Sequence, residues 1–161
     1  MNNFLQWVVI ILLIIGYILM NLGYKGTDLL KFYEGCKLVA YQDSVGVWTI
    51  GYGHTKGVYE GMTITQEQAE QMLLDELKEY ESYIDDLVTV PLNQNQFDAL
   101  VVWVYNLGPT NFRKSTLLKE LNNGNYQAVP IEIKRWNKAG GQVLEGLIKR
   151  RKAEANLFSE I

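Results

Sequence analysis

The longest hydrophobic stretch of the chain carries no charge and runs from Phe4 to Tyr24. As a helix it would reach about 30 Å, the thickness of the hydrocarbon core of a bilayer. A cleavable signal peptide would have a basic start and a small-residue cleavage site, and this stretch has neither. We therefore expect a signal-anchor, or transmembrane, segment at residues 1–25 and one folded domain at residues 26–161. The alternative is a very apolar helix buried in a soluble core.

The next part of the pattern predicts a short helix followed by a small antiparallel sheet. The helix would begin at Thr27 or Asp28 and end at Gly35, with Glu34 at its C-terminal end. Alternating or β-branched residues between turn signals then predict strands at 38–41, at 47–52 and near Val58.

Helical spacing dominates the remainder of the chain. Thr65 and Gln68 are typical of a capping box before a long helix that ends near Leu87. Asn93 caps an apolar helix that Gly108 ends, and we expect this helix to be the buried centre of the fold. Shorter helices are predicted at 115–122, at 126–138 with a break or kink near Pro130, and at 145–158. The predicted class is α+β, mostly helical, with a small antiparallel sheet and an N-terminal apolar helix.

Composition limits the classes of function. The formal net charge is −3, which gives no electrostatic reason to expect a nucleic-acid partner. Cys36 is the only cysteine, so no disulfide can form within the chain. His54 is the only histidine, and no set of His, Cys and carboxylate residues has the spacing of a metal site. We expect no metal and no cofactor.

Three polar residues near the predicted sheet suggest a chemistry. Cleavage of a glycosidic bond suits two carboxylates in different surroundings: one protonates the leaving oxygen, and the other supports the oxocarbenium-like centre or activates water. Glu34 at a helix end and Asp43 on a neighbouring strand could supply them. Thr49 adds a hydroxyl that can hold the attacking water. Taken singly, an exposed Glu, a turn Asp and a strand Thr more often have no catalytic role.

The spacing of these residues, E-x8-D-x5-T, resembles that of the phage-type lysozymes of glycoside hydrolase family 24. The stretch EGCKLVAYQDSVGVWTIGYGHT is similar to the active-site block of that family. The similarity continues in VYNLGPTNFRKSTLLKELN and in RWNKAGGQVLEGLIKRR, and it spans about residues 28–158. The resemblance implies a lysozyme-like fold and inversion at the sugar. It also implies that Glu34 is the general acid, Asp43 the second carboxylate and Thr49 the group that positions the water.

The resemblance gives His54 a supporting role. The family places an acid on the long helix beside this histidine, and the matching position is Glu76, so we expect a structural ion pair between them. An alternative is a thiol hydrolase dyad of Cys36 and His54, since such enzymes need one residue of each type and an orienting group. A half-buried core thiol is the preferred interpretation of Cys36.

Other positions resemble the glycan cleft of the family. Tyr105, Asn106 and Thr116 resemble its wall, although Tyr105 could equally pack in the core. Arg150 or Arg151 resembles the arginine that turns back toward the catalytic glutamate, and the sequence does not distinguish the two.

The resemblance, together with the set of Glu34, Asp43 and Thr49, implies hydrolysis of the β-1,4 bond between N-acetylmuramic acid and N-acetylglucosamine in peptidoglycan, which causes lysis of the host cell. The expected partners are peptidoglycan glycan strands and, through residues 4–24, the host inner membrane, with the enzyme acting as a monomer. One alternative is a lytic transglycosylase, which cleaves the same bond with one glutamate and no water. Another is a membrane-tethered murein-binding protein without turnover.

The apolar N-terminus joined to this block resembles the signal-arrest-release endolysins. These reach the periplasm as membrane-tethered precursors and become active when the segment leaves the bilayer. We therefore expect the chain on the periplasmic side of the inner membrane and then free in the periplasm. Lys25 and Lys31 follow the apolar stretch and, by the positive-inside rule, favour a cytoplasmic domain instead. Since Cys36 has no partner, release by internal disulfide exchange is not expected.

Overall fold

The structure, a computed structural model, describes residues 20–160 as a mostly helical fold with two small antiparallel sheets. The helices are α1 (Tyr24–Glu34), α2 (Gln66–Leu87), α3 (Gln94–Leu107), α4 (Pro109–Lys114), α5 (Thr116–Asn122), α6 (Val129–Lys134) and α7 (Glu145–Ser159). The strands are β1 (Lys37–Gln42), β2 (Trp48–Gly51), β3 (Lys138–Ala139) and β4 (Gln142–Val143). A 3₁₀ turn at Tyr126–Ala128 leads into α6. The predicted α+β class is confirmed.

Helix α3 is the centre of the core, as its apolar sequence predicts. All eight residues from Phe97 to Val104 are buried, and α1, α2 and α7 pack around them. The capping box predicted at Asn93 is present, because Asn93 and Gln96 each accept a backbone N–H of the other. Gly108 ends the helix with a φ of 84°, a backbone conformation that side chains other than glycine rarely adopt.

Helix α2 is amphipathic and begins where the sequence predicted. Thr65 and Gln68 form the predicted capping box, with each side chain accepting the backbone N–H of the other residue. One face of α2 is buried against the core, and the opposite face is charged and exposed. The buried positions of α2 are Ala69, Leu73, Leu77, Glu81 and Ile84.

The sheet that follows α1 is a two-stranded hairpin. β1 and β2 are antiparallel, with Tyr41 opposite Thr49, and the register shifts between Lys37 and Tyr41. The third strand predicted near Val58 is wrong. The chain forms turns there, with isolated bridges to the hairpin at His54 before them and at Thr63 after them.

Two predicted helix boundaries also need correction. α1 begins at Tyr24 instead of Thr27 or Asp28, because its N-terminus is capped by a side chain from another helix, described below. The break predicted near Pro130 is present as the change from the 3₁₀ turn at Tyr126–Ala128 to α6, and Pro130 lies in the first turn of α6, where proline removes no helical hydrogen bond. α6 ends at Lys134 instead of residue 138, and the chain then forms the β3–β4 hairpin.

The predicted N-terminal apolar helix lies mostly outside the described residues, which begin at residue 20. The described part of it, from Met20 to Gly23, is not helical and leads directly into α1. The domain boundary predicted between residues 25 and 26 therefore falls within the first turn of α1. Within residues 20–160, no helix is both long enough and apolar enough to cross a membrane.

Candidate active site

Glu34 is the last residue of α1, and its side chain lies between α7 and the loop after β2. Gly35 ends the helix with a φ of 64°. Arg150 Nη2 donates to Glu34 Oε1 at 2.7 Å. A Cβ built on Gly53 would lie 3.9 Å from Glu34 Oε2, so the second oxygen faces the loop after β2. The Glu34 side chain is 19% exposed, which leaves it accessible but held in one place.

The structure distinguishes the two candidate arginines on α7. Arg150 contacts Glu34, and its guanidinium also lies 5.4 Å from the centroid of the Tyr33 ring. The side chain of Arg150 is only 6% exposed. Arg151 points elsewhere: its Nη2 donates to Asn106 Oδ1 at 2.9 Å. Arg150 is therefore the arginine that turns back to Glu34.

Glu154 is a part of this network that sequence reasoning missed. It is fully buried, and its Oε1 accepts from Arg150 Nε at 3.2 Å and from Arg151 Nη2 at 2.6 Å. Burial raises the pKa of Glu154, and the charges of both arginines oppose that shift. Burial also lowers the pKa of Arg151, against the charge of Glu154. Their spacing of three and four residues along one helix was a usable signal for this cluster.

Asp43 and Thr49 lie on the hairpin and are joined through the backbone of Val47. Asp43 Oδ1 accepts the N–H groups of Val45 at 2.9 Å and of Val47 at 2.8 Å, which closes the turn between the strands. Thr49 Oγ1 donates to the carbonyl of Val47 at 3.0 Å. Thr49 is nearly buried, with 4% of its surface exposed, whereas Asp43 is half-buried. The structure brings these two residues together at the turn end of the hairpin.

His54 contacts Glu76 on α2, as the resemblance implied. His54 Nδ1 meets Glu76 Oε1, and Nε2 lies 2.8 Å from the carbonyl of Lys56. Because that carbonyl can only accept, Nε2 carries a proton. The hydroxyl of Tyr105 lies within hydrogen-bond distance of Glu76 Oε2, at 3.2 Å, and of the Tyr52 carbonyl, at 3.1 Å. The contacts among His54, Glu76 and Tyr105 therefore connect the end of β2 to α2 and α3.

Tyr105 is largely buried, in keeping with this structural contact. Its ring packs 4.7 Å, centroid to centroid, from the ring of Tyr80. Burial raises the pKa of the Tyr105 hydroxyl, and the nearby charges of Glu76 and Glu34 raise it further. The contacts of Tyr105 with Tyr80, Glu76 and the Tyr52 carbonyl therefore indicate a packing role.

The other two residues that resemble the cleft wall differ in their contacts. Asn106 is exposed at the end of α3, and its Oδ1 is held by Arg151. Thr116 is exposed at the first position of α5. Cys36 is partly buried against the core. Within the part of the chain that the structure describes, no group of three or more His, Cys, Asp and Glu side chains is arranged to hold a metal ion.

Comparison with known proteins decides the family. The family model described as phage lysozyme matches residues 31–154. The chain belongs to the phage lysozyme family. It is similar to an endolysin of Acyrthosiphon pisum secondary endosymbiont phage 1, at 47% identity over 86% of this chain and 98% of the relative. This membership confirms the prediction of a lysozyme that hydrolyses peptidoglycan and takes part in lysis.

Two further relatives of this phage lysozyme bear on its fold and targeting. The solved endolysin from Escherichia coli O157:H7 phage FAHEc1 superposes with a TM-score of 0.81 at 41% identity, over 88% of this chain and 94% of that one. The predicted lysozyme-like fold is therefore confirmed. A SAR-endolysin of Enterobacteria phage P21 is 35% identical over 84% of this chain and 81% of the relative.

Proposed function

We propose that this phage lysozyme cleaves the β-1,4 bond between N-acetylmuramic acid and N-acetylglucosamine, with Glu34 as the general acid. The observation that carries the proposal is the way Glu34 is held. Arg150 occupies its Oε1, while Oε2 faces the loop after β2 and Gly53. A general acid must present one oxygen in a fixed direction to the leaving group. The contact with Arg150 supports that orientation.

In the first part of the reaction, Oε2 of Glu34 gives its proton to the glycosidic oxygen. The bond between the sugar C1 and that oxygen breaks, and positive charge develops at the ring. The N-acetylglucosamine hydroxyl leaves with the proton of Glu34. Glu34 becomes a carboxylate, and the Arg150 guanidinium beside it stabilises the charge that it gains.

In the second part, a water attacks C1 from the opposite face and gives its proton to Asp43. Asp43 Oδ1 is held by the two N–H groups of the hairpin turn, so the other oxygen is the one that would accept this proton. The hydroxyl of Thr49 donates its hydrogen bond to the Val47 carbonyl. Its lone pairs are therefore the groups that can accept a hydrogen bond from the water and orient its oxygen.

One observation favours the lytic transglycosylase as a second candidate. The only hydrogen bonds that the described residues make to the Asp43 side chain serve to close the hairpin. An aspartate with that role alone would leave Glu34 as the only catalytic carboxylate, which is sufficient for formation of an anhydro sugar. The two candidates give different products, a new reducing N-acetylmuramic acid end or an anhydro end, and mass spectrometry separates them.

Comparison of the wild-type chain with Glu34→Gln tests the role of Glu34. Glutamine keeps the size of the side chain and its contact with Arg150 but cannot supply a proton. We expect the wild type to clear a suspension of purified peptidoglycan, and Glu34→Gln to bind the same peptidoglycan in a sedimentation assay without clearing it. Equal clearing by both proteins would contradict the role of Glu34. Binding without clearing by both would indicate the murein-binding alternative.

We further propose that residues 4–24 hold the enzyme at the periplasmic face of the host inner membrane, as a monomer, before its release. The uncharged apolar stretch and the similarity to a SAR-endolysin support this proposal. The N–H groups of Leu22 and Gly23 add a physical reason for control. In the described arrangement they donate to Glu81 and Asp98, at 2.7 and 2.8 Å.

These contacts cannot coexist with a membrane helix that runs through residue 24. In such a helix the same N–H groups would bond to carbonyls four residues earlier. The tethered chain must therefore give up the contacts that precede α1, and release would allow them to form. Membrane fractionation tests the tether: we expect full-length protein in the inner membrane, sensitive to protease added to the periplasm and partly released on depolarisation. Protein found only in the cytosol would contradict it.

A further inference from the structure

Asp98 is a buried acid in α3, the apolar helix at the centre of the core. It lies on α3 with 1% of its surface exposed, among residues that otherwise form the hydrophobic core. A buried carboxylate is costly unless hydrogen bonds compensate its lost hydration. Asp98 Oδ1 accepts the backbone N–H of Gly23 at 2.8 Å and Gln94 Nε2 at 2.7 Å. Its Oδ2 accepts the N–H of Gly26 at 3.1 Å.

These bonds make Asp98 the N-terminal cap of α1, supplied from another helix. The first N–H groups of a helix have no partner within it, and the N-cap residue of α1 is Gly23, which has no side chain. Asp98 satisfies two of these donors and places its charge at the positive end of the helix dipole. The proposed mechanism assigns no role to this residue.

The two glycines allow the close approach that this contact needs. A Cβ on Gly23 would lie 2.8 Å from Asp98 Oδ2, and a Cβ on Gly26 would lie 2.8 Å from the Cβ of Asp98. Neither glycine has a positive φ, so close approach is the property they supply. The contact is therefore built from both sides, with an acid on α3, a glycine at the N-cap of α1 and a glycine in its first turn.

A second acid fixes the chain that enters α1. Glu81 on α2 is buried, and its Oε1 accepts the N–H of Leu22 at 2.7 Å. Gln94, which already donates to Asp98, also donates to the carbonyl of Asn21 at 2.8 Å. The start of α1 is thus held from both α2 and α3.

We propose that Asp98 is a positioning residue for Glu34. Gly26 and Glu34 lie on the same helix, about 12 Å apart at the usual rise. Because a short helix moves as a rigid body, a shift of its capped end changes the position of Glu34 against Arg150 and Gly53. Apart from the Glu34–Arg150 pair itself, the ion pairs of α1 are Lys25 with Glu160 and Lys31 with Glu70, which are partly exposed and hold weakly. This inference rests on the proposed role of Glu34.

The test compares steady-state kinetics of Asp98→Asn and wild type on soluble peptidoglycan fragments, in the full-length protein and below its unfolding temperature. Asparagine keeps the shape but replaces one acceptor oxygen with a donor, so one of the two glycine N–H groups loses its partner. We expect kcat to fall by about 10- to 100-fold with KM nearly unchanged, since small misplacement of a reacting group has effects of that size. Hydrogen exchange should speed up at the first amides of α1.

A second variant disturbs the same contact with Asp98 in place. Gly26→Ala forces the new Cβ against Leu22 Cδ1, at 2.5 Å, and against the Cβ of Asp98, at 2.8 Å, so the capped end of α1 must shift and we expect kcat to fall in the same way. Gly146→Ala on α7 is the matched control: it is also a helical glycine, but its added Cβ meets open space, so kcat should remain at the wild-type value. The double variant Asp98→Asn with Gly26→Ala should lose less activity than the product of the single effects, because both remove one contact.

The outcomes distinguish this inference from the proposed function. If wild type and Glu34→Gln turn over equally, the role of Glu34 fails, and hydrogen exchange still reports whether Asp98 holds α1. If Glu34→Gln is inactive but Asp98→Asn and Gly26→Ala keep the wild-type kcat, Asp98 has only a structural role and the inference is overturned. A rise in KM alone would overturn it as well.

Discussion

Arg150 on α7 holds one oxygen of Glu34 and shares its guanidinium with buried Glu154. Nη2 lies 2.7 Å from Glu34 Oε1, and Nε lies 3.2 Å from Glu154 Oε1. The two carboxylates thus hold two different nitrogens of the same guanidinium. This relationship links α7 to the C-terminal end of α1, where the candidate general acid lies.

Replacement of Arg150 by Gln should reduce turnover, because Glu34 loses the partner that fixes its direction. We expect kcat to fall by about 10- to 100-fold with a smaller change in KM, as for a misplaced reacting group. Lys149→Gln is the control, since its ion pair with Glu145 is exposed and worth about 1 kcal/mol or less. Wild-type kcat in Arg150→Gln would contradict the role of this arginine.

Replacement of Glu154 by Leu should lower the free energy of unfolding by more than the loss of an exposed ion pair would. Removal of one partner from a buried ion pair leaves charge uncompensated and costs about 3–5 kcal/mol. In Glu154→Leu, the guanidinium groups of Arg150 and Arg151 would lose the buried carboxylate that compensates their positive charge. Urea unfolding measures the change in free energy, with Glu145→Gln, at an exposed position of the same helix, as the control. If Glu154→Leu and Glu145→Gln lose the same free energy of unfolding, the buried pairs of Glu154 with the two arginines do not stabilise the fold.

Two substitutions separate the structural role of Asp43 from its chemical role. Asparagine keeps an oxygen that accepts the turn N–H groups of Val45 and Val47 but has no charge. We expect Asp43→Asn to unfold close to the wild-type temperature and to lose about 10²- to 10⁴-fold in kcat, the range for a lost general base. Asp43→Ala should lose activity and also about 1–2 kcal/mol of stability, as the turn bonds disappear. Full activity in Asp43→Asn would contradict the role of Asp43 as a general base and leave only its role in closing the hairpin turn.

Tyr105 should make stability depend on pH at the alkaline end. Burial and the charges of Glu76 and Glu34 raise the pKa of its hydroxyl, so the folded protein keeps the proton after the unfolded chain has lost it. The contribution of this hydroxyl is complete below about pH 10, the ordinary value for tyrosine, and declines above it. Tyr105→Phe should therefore lose less stability than wild type between neutral pH and pH above 10, as measured by urea unfolding. Parallel curves for the two proteins would contradict this.

Local signals in the sequence predicted much of the fold, and long-range contacts account for the differences. Thr65 with Gln68 and Asn93 with Gln96 mark helix starts through bonds to their own neighbours, so their effect is visible in sequence order. The cap of α1 comes from Asp98, far along the chain, and no local pattern reveals it. For that reason the predicted start of this helix was too late.

The same distinction applies to the site. The spacing of Glu34, Asp43 and Thr49 directs attention to the right helix end and hairpin, and the choice between Arg150 and Arg151 required the three-dimensional contacts. Glu154 was missed because its spacing on an otherwise charged helix is also typical of exposed ion pairs. Burial, which only the fold reveals, separates the two cases.

Digestion of purified peptidoglycan in water enriched in oxygen-18, followed by mass spectrometry, tests the central claim most directly. If Glu34, Asp43 and Thr49 direct a water to the glycosidic carbon, each wild-type product carries one labelled oxygen at its new N-acetylmuramic acid end. Glu34→Gln should give no such product above background. Unlabelled anhydro ends as the main wild-type product would contradict hydrolysis and establish the transglycosylase reaction.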